Sequence, residues 1–108
     1  MEKLKLNVTV DRPLNFVDRF GNVYPVNYGF ISGIIGGDSE QQDAYIISKT
    51  FTEPVDTFRG ELVAIIHRHN DNEDKWVVTS ENEKISEDYI LKMTHFLEKY
   101  FDSEIEML

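Results

Sequence analysis

Three carboxylates, Asp38, Glu40 and Asp43, lie at DxExxD spacing near the end of the segment 24–43, YPVNYGFISGIIGGDSEQQD. The apolar run 44–47 follows them directly and predicts a buried strand. Carboxylates beside a buried strand are held by a rigid element, so this group could coordinate a cation instead of forming a random acidic loop. Oxygen ligands in a chain without cysteine favour a hard cation such as Mg²⁺, Mn²⁺ or Ca²⁺.

A second acidic group, Asp71, Glu73 and Asp74, comes just before an apolar run that begins after Lys75. If the two strands are neighbours, both acidic groups meet at one end of the sheet. Two like charges about 4 Å apart repel by on the order of 4 kcal/mol at an effective dielectric of 20, so such a site needs cations. The alternative is that these acidic turns simply face water, and composition alone favours that alternative.

Other catalytic and metal-binding patterns fit the sequence less well. A calcium loop of the EF-hand type needs glycine at its sixth position, and counting from Asp38 that position is Asp43. His67 and His69 share a strand face, which would suit a zinc pair, but a solvated or core role fits them better. The chain has no GxxxxGK[ST], GxGxxG or GxSxG motif.

Hydrophobic periodicity predicts a chain of strands followed by one helix. Strands are expected at residues 4–10, 43–48, 61–67 and 75–79, with a shorter strand-like piece within 24–37. Residues 61–79 form a predicted hairpin, and the segments 14–23 and 49–60 are expected to be loops. A helix of about four turns is expected after the N-cap Ser86, with an apolar face formed by Tyr89, Ile90, Met93, Phe96, Leu97, Tyr100 and Phe101. The acidic tail 102–108 is expected to fray.

Composition limits the classes of function. The 108 residues, 41% hydrophobic and 12% aromatic, predict a single folded domain spanning 1–108. A formal net charge of −9 disfavours nucleic acid and anionic membranes as partners, since both require clustered Lys and Arg. A small anionic substrate remains compatible if a metal cation stands between it and the carboxylates. No signal peptide or apolar run of about 20 residues is evident, so a cytoplasmic setting is expected.

Several short segments resemble motifs of the soluble (family I) inorganic pyrophosphatases. Residues 24–31, YPVNYGFI, are similar to that family's YPxNYGxI stretch. Residues 38–46, DSEQQDAYI, are similar to its DGDPxDxxV motif, with both outer Asp retained and Glu40 in place of the middle Asp. Weaker similarities are the VDR at 10–12, the acidic loop that leads to Lys75, and THFLEKY at 94–100. The family's Lys after the last Tyr is Phe101 here, and its N-terminal segment, which supplies a Glu and a Lys, has no counterpart in this short sequence.

The resemblance implies a mainly β (α+β) fold, a small OB-like closed β-barrel with one packed C-terminal helix. It also implies hydrolysis of inorganic diphosphate by a metal-activated water. The implied metal ligands, for Mg²⁺ or Mn²⁺, are Asp38, Asp43, Asp71 and Asp74. Glu40 and Tyr28 are the implied catalytic residues, with Glu40 accepting the proton of the water. The implied phosphate-binding residues are Arg12, Lys75, Tyr28 and Tyr100.

Two other functions remain open on the same fold. One is a non-catalytic module that binds a metal–phosphate compound or a protein partner, which the change at Phe101 favours. The other is a metal-dependent hydrolase of another phosphoanhydride, such as a nucleotide. A homo-oligomer is compatible with an exposed apolar helix edge, but nothing in the sequence specifies one.

Overall fold

The computed structural model describes residues 3–37, 39–71 and 73–108. Asp38, one of the predicted metal ligands, therefore lies outside the described residues. In chain order the elements are β1 (Lys5–Arg12), β2 (Asn27–Ile35), β3 (Gln41–Ile46), β4 (Thr57–Arg68), β5 (Asp74–Thr79), α1 (Glu87–Glu98) and β6 (Ser103–Met107). In the described part of the chain, no helix has the length and hydrophobicity that crossing a bilayer requires.

Five strands close into a barrel in the order β1-β2-β3-β5-β4, and pairing of β1 with β4 completes it. The β3–β5 pair is parallel, whereas the other pairs are antiparallel. The long strand β4 pairs with three strands: Glu61 to His67 pair with β5, Thr57 to Glu61 with β1, and Ala64 to Arg68 with β6. The predicted fold, a small OB-like barrel with one helix, is confirmed.

Strand alternation divides the apolar side chains into two clusters. The first takes side chains from all five barrel strands and forms the barrel interior: Leu6, Val8, Ile31, Ala44, Ile46, Phe58, Leu62 and Val78. The second lies on the outer face beneath α1 and includes Tyr24, Tyr28, Tyr45, Ile47, Ile66, Val77 and Ile90. Neighbouring residues of β3 therefore face opposite sides, because Ala44 packs inward and Tyr45 packs against the helix layer.

The helix begins where the sequence predicts. The Ser86 hydroxyl accepts a hydrogen bond from the Tyr89 backbone N–H at 3.1 Å, which caps the first turn. Residues Ile90, Thr94 and Glu98, spaced four apart, form the buried stripe. The helix ends at Glu98, one turn earlier than the apolar pattern suggested, and Tyr100 is 60% exposed.

Two predicted irregular segments contain strand. The tail expected to fray forms β6, in which Ile105 packs on the outer core cluster while its neighbours pair with β4. A tail this acidic pairs because only its alternate apolar residues need to face the core. The expected loop 49–60 is also shorter than predicted, since β4 already begins at Thr57. The predicted hairpin is confirmed, with His67 opposite Asp74.

Candidate functional site

A pocket of about 580 Å³ lies on the outer face of the barrel, where α1 ends. Its charged and hydroxyl-bearing lining residues are Arg12, Asp18, Tyr24, Tyr28, Asp43, Arg68, Glu73, Lys75 and Tyr100. Strand alternation explains why β3 and β5 contribute here: Asp43 shares a face with Tyr45, and Lys75 shares one with Val77. Both Tyr45 and Val77 belong to the cluster beneath the helix.

A β-bulge directs Arg12 to this pocket. Val8 and Val10 pack toward the barrel interior, so a regular strand would point Arg12 inward as well. The register of β1 against β2 shifts between Val10 and Arg12, which inserts Asp11 as an extra residue. Such an insertion reverses the alternation, and the guanidinium of Arg12 therefore lies on the outer face. Its Nη1 donates a 2.6 Å hydrogen bond to the Tyr24 hydroxyl.

Lys75 is the central cation of the pocket and is only 3% exposed. Its ammonium lies 2.6 Å from Asp43 Oδ2 and 2.6 Å from Glu73 Oε2. The parallel register that places Ala44 beside Trp76 also brings Asp43 and Lys75 together. The two acidic segments thus meet at one end of the sheet, as expected if their strands were neighbours, and a lysine bridges them.

Tyr28 lies against this bridge. Burial, together with the nearby Asp43 carboxylate that accepts a hydrogen bond from the phenol, raises the pKa of Tyr28 well above its ordinary value. The phenol therefore stays protonated near neutral pH. A phenol has one O–H, so donation to a phosphate oxygen, the role that the motif resemblance implied for Tyr28, would replace its hydrogen bond to Asp43.

Arg68 and Glu98 form a buried ion pair behind the pocket. Arg68 donates from Nε to Glu98 Oε1 at 3.0 Å and from Nη2 to Glu98 Oε2 at 2.6 Å. The Tyr45 hydroxyl donates to the same Glu98 at 2.6 Å. Burial alone would lower the pKa of Arg68, but the hydrogen bonds and charge of Glu98 raise it above its ordinary value. Arg68 is therefore a permanent cation in the pocket wall.

The structure brings together some of the predicted site residues and separates others. Arg12, Tyr28, Asp43, Lys75 and Tyr100 line one pocket. The predicted site residues Asp71, Asp74 and Glu40 are not among the residues that line this pocket.

Asp74 and Asp71 do not line this pocket. The Asp74 carboxylate lies 3.1 Å from His67 Nδ1, and Asp71 Oδ2 lies 3.5 Å from Arg68 Nη1. Glu40 is an exposed residue whose backbone carbonyl accepts from the Gly36 N–H at 2.8 Å. Glu73, which precedes the predicted ligand Asp74, is the residue of the second acidic group that reaches the pocket.

The described residues fit a divalent metal only in part. Asp43 and Glu73 are oxygen donors of the type that Mg²⁺ prefers, but the Lys75 ammonium binds both of them. Across residues 3–37, 39–71 and 73–108, no group of three or more acidic or histidine side chains is placed to hold a metal ion. Among the predicted metal ligands that the structure describes, Asp43 lines the pocket, and its carboxylate is bound by Lys75.

Sequence reasoning missed Arg68 and Glu98, and it named Glu73 in the second acidic group without assigning it to the site. A signal for the first two exists in the patterns. Arg68 continues the alternation of Ala64 and Ile66 on β4, and Glu98 continues the i, i+4 stripe on α1. A charged residue at a core-facing position requires a partner, so two such positions of opposite sign predict a buried pair.

Comparison with solved structures identifies the fold. The barrel matches an inorganic pyrophosphatase from Ehrlichia chaffeensis with a TM-score of 0.73 and 19% identity, over 95% of this chain and 85% of that one. It also matches the Helicobacter pylori inorganic pyrophosphatase with a TM-score of 0.63 and 16% identity, over 100% of this chain and 86% of that one. The class is therefore the OB-like barrel with the architecture that these proteins share.

Sequence comparison also finds proteins named inorganic pyrophosphatase. The chain is 28% identical over 118 residues to inorganic pyrophosphatase 1 of Pseudomonas syringae pv. tomato, covering 94% of this chain and 67% of the relative. It is 25% identical over 119 residues to the inorganic pyrophosphatase of Gluconobacter oxydans, covering 94% and 69%. No family model matches the chain. The resemblance to inorganic pyrophosphatases is thus confirmed over most of the chain, at low identity.

Proposed function

We propose that this chain hydrolyses inorganic diphosphate to two phosphates in the pocket, with Mg²⁺ or Mn²⁺ as the required cation and the cytoplasm as its setting. The observation that supports this most directly is the convergence of Arg12, Tyr28, Lys75 and Tyr100 around Asp43 in one pocket. These are the phosphate-binding types that the motifs implied, and they come from separate parts of the chain. The sequence relatives that carry the name inorganic pyrophosphatase support the same reaction.

The proposed roles follow from the contacts. Arg12, held against Tyr24, presents a planar guanidinium that suits bidentate binding of a phosphoryl group. Lys75 supplies a second positive charge, and Tyr28 supplies a neutral hydroxyl donor. Together these groups orient the diphosphate and stabilise the charge that develops on the leaving phosphate. Tyr100, which is exposed in the pocket lining, offers a further hydroxyl donor to the diphosphate.

In this proposal Asp43, with Asp38 of the adjoining segment, would hold the metal. When bound, a divalent cation would polarise a phosphoryl oxygen and lower the pKa of a bound water. Glu40 is kept as the residue that would accept the proton of the attacking water, although Glu40 is exposed and outside the pocket lining. Asp71 and Asp74 are left out of the proposed ligand set because neither lines the pocket.

Phosphate release from diphosphate tests the proposal. Wild-type protein should release phosphate with Mg²⁺ and lose that release in EDTA. Asp43→Asn should lower the rate by at least 100-fold, because it removes a charge that faces both Lys75 and the proposed metal. Asp56→Asn is the matched control, since Asp56 is an exposed carboxylate outside the pocket lining. Equal rates for wild type and Asp43→Asn would overturn the site assignment.

A second candidate is a binding module without turnover on the same fold. The bridging of Asp43 and Glu73 by Lys75 favours it, because both carboxylates already bind a cation of the chain. This candidate predicts that diphosphate binds with no release of phosphate at any metal concentration. Running the assay in parallel with a nucleoside triphosphate separates a third alternative, a nucleotide hydrolase, which would prefer the nucleotide.

A further inference from the structure

Arg68 has one nitrogen that its buried ion pair does not use. Its side chain is 5% exposed, and Nε and Nη2 are both bound to Glu98. The remaining Nη1 lies 3.5 Å from Asp71 Oδ2 and 3.9 Å from Glu73 Oε2. Charge-assisted hydrogen bonds between guanidinium and carboxylate are usually about 2.7–2.9 Å long. Nη1 therefore makes only long contacts with these carboxylates.

Phe101 packs against the guanidinium of Arg68. The carbon at the centre of the Arg68 guanidinium lies 3.7 Å from the centroid of the Phe101 ring. Stacking at this distance covers one face of the guanidinium plane and leaves its edge as the hydrogen-bonding side. Both Arg68 and Phe101 line the pocket. The Phe101 ring thus packs on the Arg68 guanidinium in the pocket wall, while Nε and Nη2 are bound to Glu98.

The pocket lining combines three cations with three carboxylates, Asp18, Asp43 and Glu73, and two of these carboxylates are bound by Lys75. The cations are Arg12, Arg68 and Lys75, and Arg12 hydrogen-bonds the Tyr24 hydroxyl instead of a carboxylate. Lys75 satisfies Asp43 and Glu73, and Asp18 accepts hydrogen bonds from its own loop at Phe20 and Asn22. Arg12 and Arg68 thus have N–H groups beyond those bound to Tyr24 and Glu98, and Lys75 has a third N–H beyond those bound to Asp43 and Glu73.

We propose that Arg68 binds the diphosphate directly through Nη1, and that the pocket takes up this anion through its own cations before any divalent metal is bound. This proposal rests on the proposed function in one respect, that the ligand of this pocket is diphosphate. The metal is then required for hydrolysis and not for binding of the diphosphate. The motif that the sequence resembles has Lys at the position of Phe101. In this chain Arg68, on β4, supplies a positive charge to the pocket instead.

A purely structural role for Arg68 makes a different prediction. If Arg68 only anchors the end of α1 through Glu98, changing it alters the melting temperature and leaves the affinity of the folded protein for diphosphate unchanged. Metal-free affinity, measured on protein whose folding has been checked, therefore distinguishes the two roles.

The test measures binding of diphosphate by titration calorimetry in EDTA at low salt. Arg68→Lys keeps a positive charge beside Glu98 but replaces the guanidinium fork by one ammonium, which cannot serve Glu98 and the anion together. Loss of one charge-assisted hydrogen bond is expected to weaken binding by about tenfold or more. Arg59→Lys is the matched control, because Arg59 is an exposed arginine of the same strand. Its affinity should stay within about twofold of the wild type.

Phe101→Leu keeps the experiment decisive if Arg68→Lys does not fold. It removes the stacking ring without touching the pair with Glu98, and metal-free binding should weaken by about threefold. The proposal is overturned if folded Arg68→Lys binds as tightly as wild type, or if wild type shows no binding in EDTA. Phosphate release with Mg²⁺ but no metal-free binding would overturn this inference alone. Metal-free binding without phosphate release would support it while refuting the proposed hydrolysis.

Discussion

Asn27 shows how a single buried side chain orders the loops beside the pocket. It is 1% exposed, and its Oδ1 accepts from the Leu14 N–H at 2.9 Å and the Val55 N–H at 3.2 Å. Its Nδ2 donates to the Glu53 carbonyl at 2.9 Å. The amide thus joins the loops that follow β1 and precede β4. The sequence analysis gave Asn27 no part in the site, and this structural role suits its place in the YPVNYGFI segment.

Replacing Asn27 by Ala should destabilise the protein by about 2–3 kcal/mol, because two backbone N–H groups and one carbonyl lose their partner in a buried setting. Urea unfolding followed by circular dichroism measures this. Asn7→Ala is the control, since Asn7 is exposed and contacts Arg59 only at 3.4 Å; its change should stay within about 0.5 kcal/mol. Equal midpoints for both variants would contradict the assigned role.

At the scale of elements, the close pairing of β1 and β2 controls the position of Arg12. A Cβ added to Gly29 would lie 1.9 Å from the Thr9 carbonyl oxygen and 2.8 Å from the Val10 Cα. The strands can approach this closely only with glycine at this position. The bulge that redirects Arg12 follows immediately, between Val10 and Arg12.

Gly29→Ala should therefore lower the free energy of unfolding by about 3 kcal/mol or more. The clash is with backbone atoms and outweighs the gain of about 0.4–1 kcal/mol that reduced chain entropy gives a tolerated Gly→Ala change. Thermal unfolding measures the loss. Ser32→Ala, at an exposed position of the same strand, should change stability by less than about 0.5 kcal/mol. A Gly29→Ala protein as stable as wild type would show that β1 and β2 can separate without cost.

At the scale of the whole molecule, Glu83 joins two segments at the end of the barrel. Its carboxylate accepts from the Ser48 hydroxyl at 2.6 Å and the Lys49 backbone N–H at 2.7 Å, and also from the hydroxyls of Ser80 and Thr50. These groups follow β3 and β5, the two parallel neighbours. Burial alone would raise the pKa of Glu83, but these donors together lower it from 4.5 to about 2.

This lowered pKa predicts how stability depends on pH. The folded state binds the Glu83 proton less tightly than the unfolded state, so the stabilisation is complete above pH 4.5 and is lost as pH falls toward about 2. Glu83→Gln should cost on the order of 2 kcal/mol at pH 7, with allowance for partial solvent screening. The difference from wild type should shrink toward zero near pH 2. Glu81→Gln, which alters only an exposed pair with Lys5 at 3.5 Å, is the control, and a pH-independent difference at Glu83 would refute the explanation.

Local sequence patterns were sufficient to predict most of the individual strands. The alternation in residues 4–10, the apolar run after Asp43 and the hairpin at 61–79 specify strands because each pattern is short-range and nearly complete in itself. The Ser86 cap specifies the start of the helix for the same reason. The sequence did not predict β6. This short segment, Ser103–Met107, forms a strand only because the edge of β4 is available for pairing.

The sequence by itself determined most of the strands and the helix start, because periodicity is a property of neighbouring residues. Its resemblance to known motifs predicted the class of barrel and five of the side chains that meet in the pocket. Which charges meet was decided by tertiary structure. Strand register placed Lys75 between Asp43 and Glu73, and a bulge turned Arg12 outward. Packing of α1 on β4 joined Glu98 to Arg68, 30 residues away in sequence. Such contacts depend on how strands pair and helices pack, and no local pattern specifies those distances.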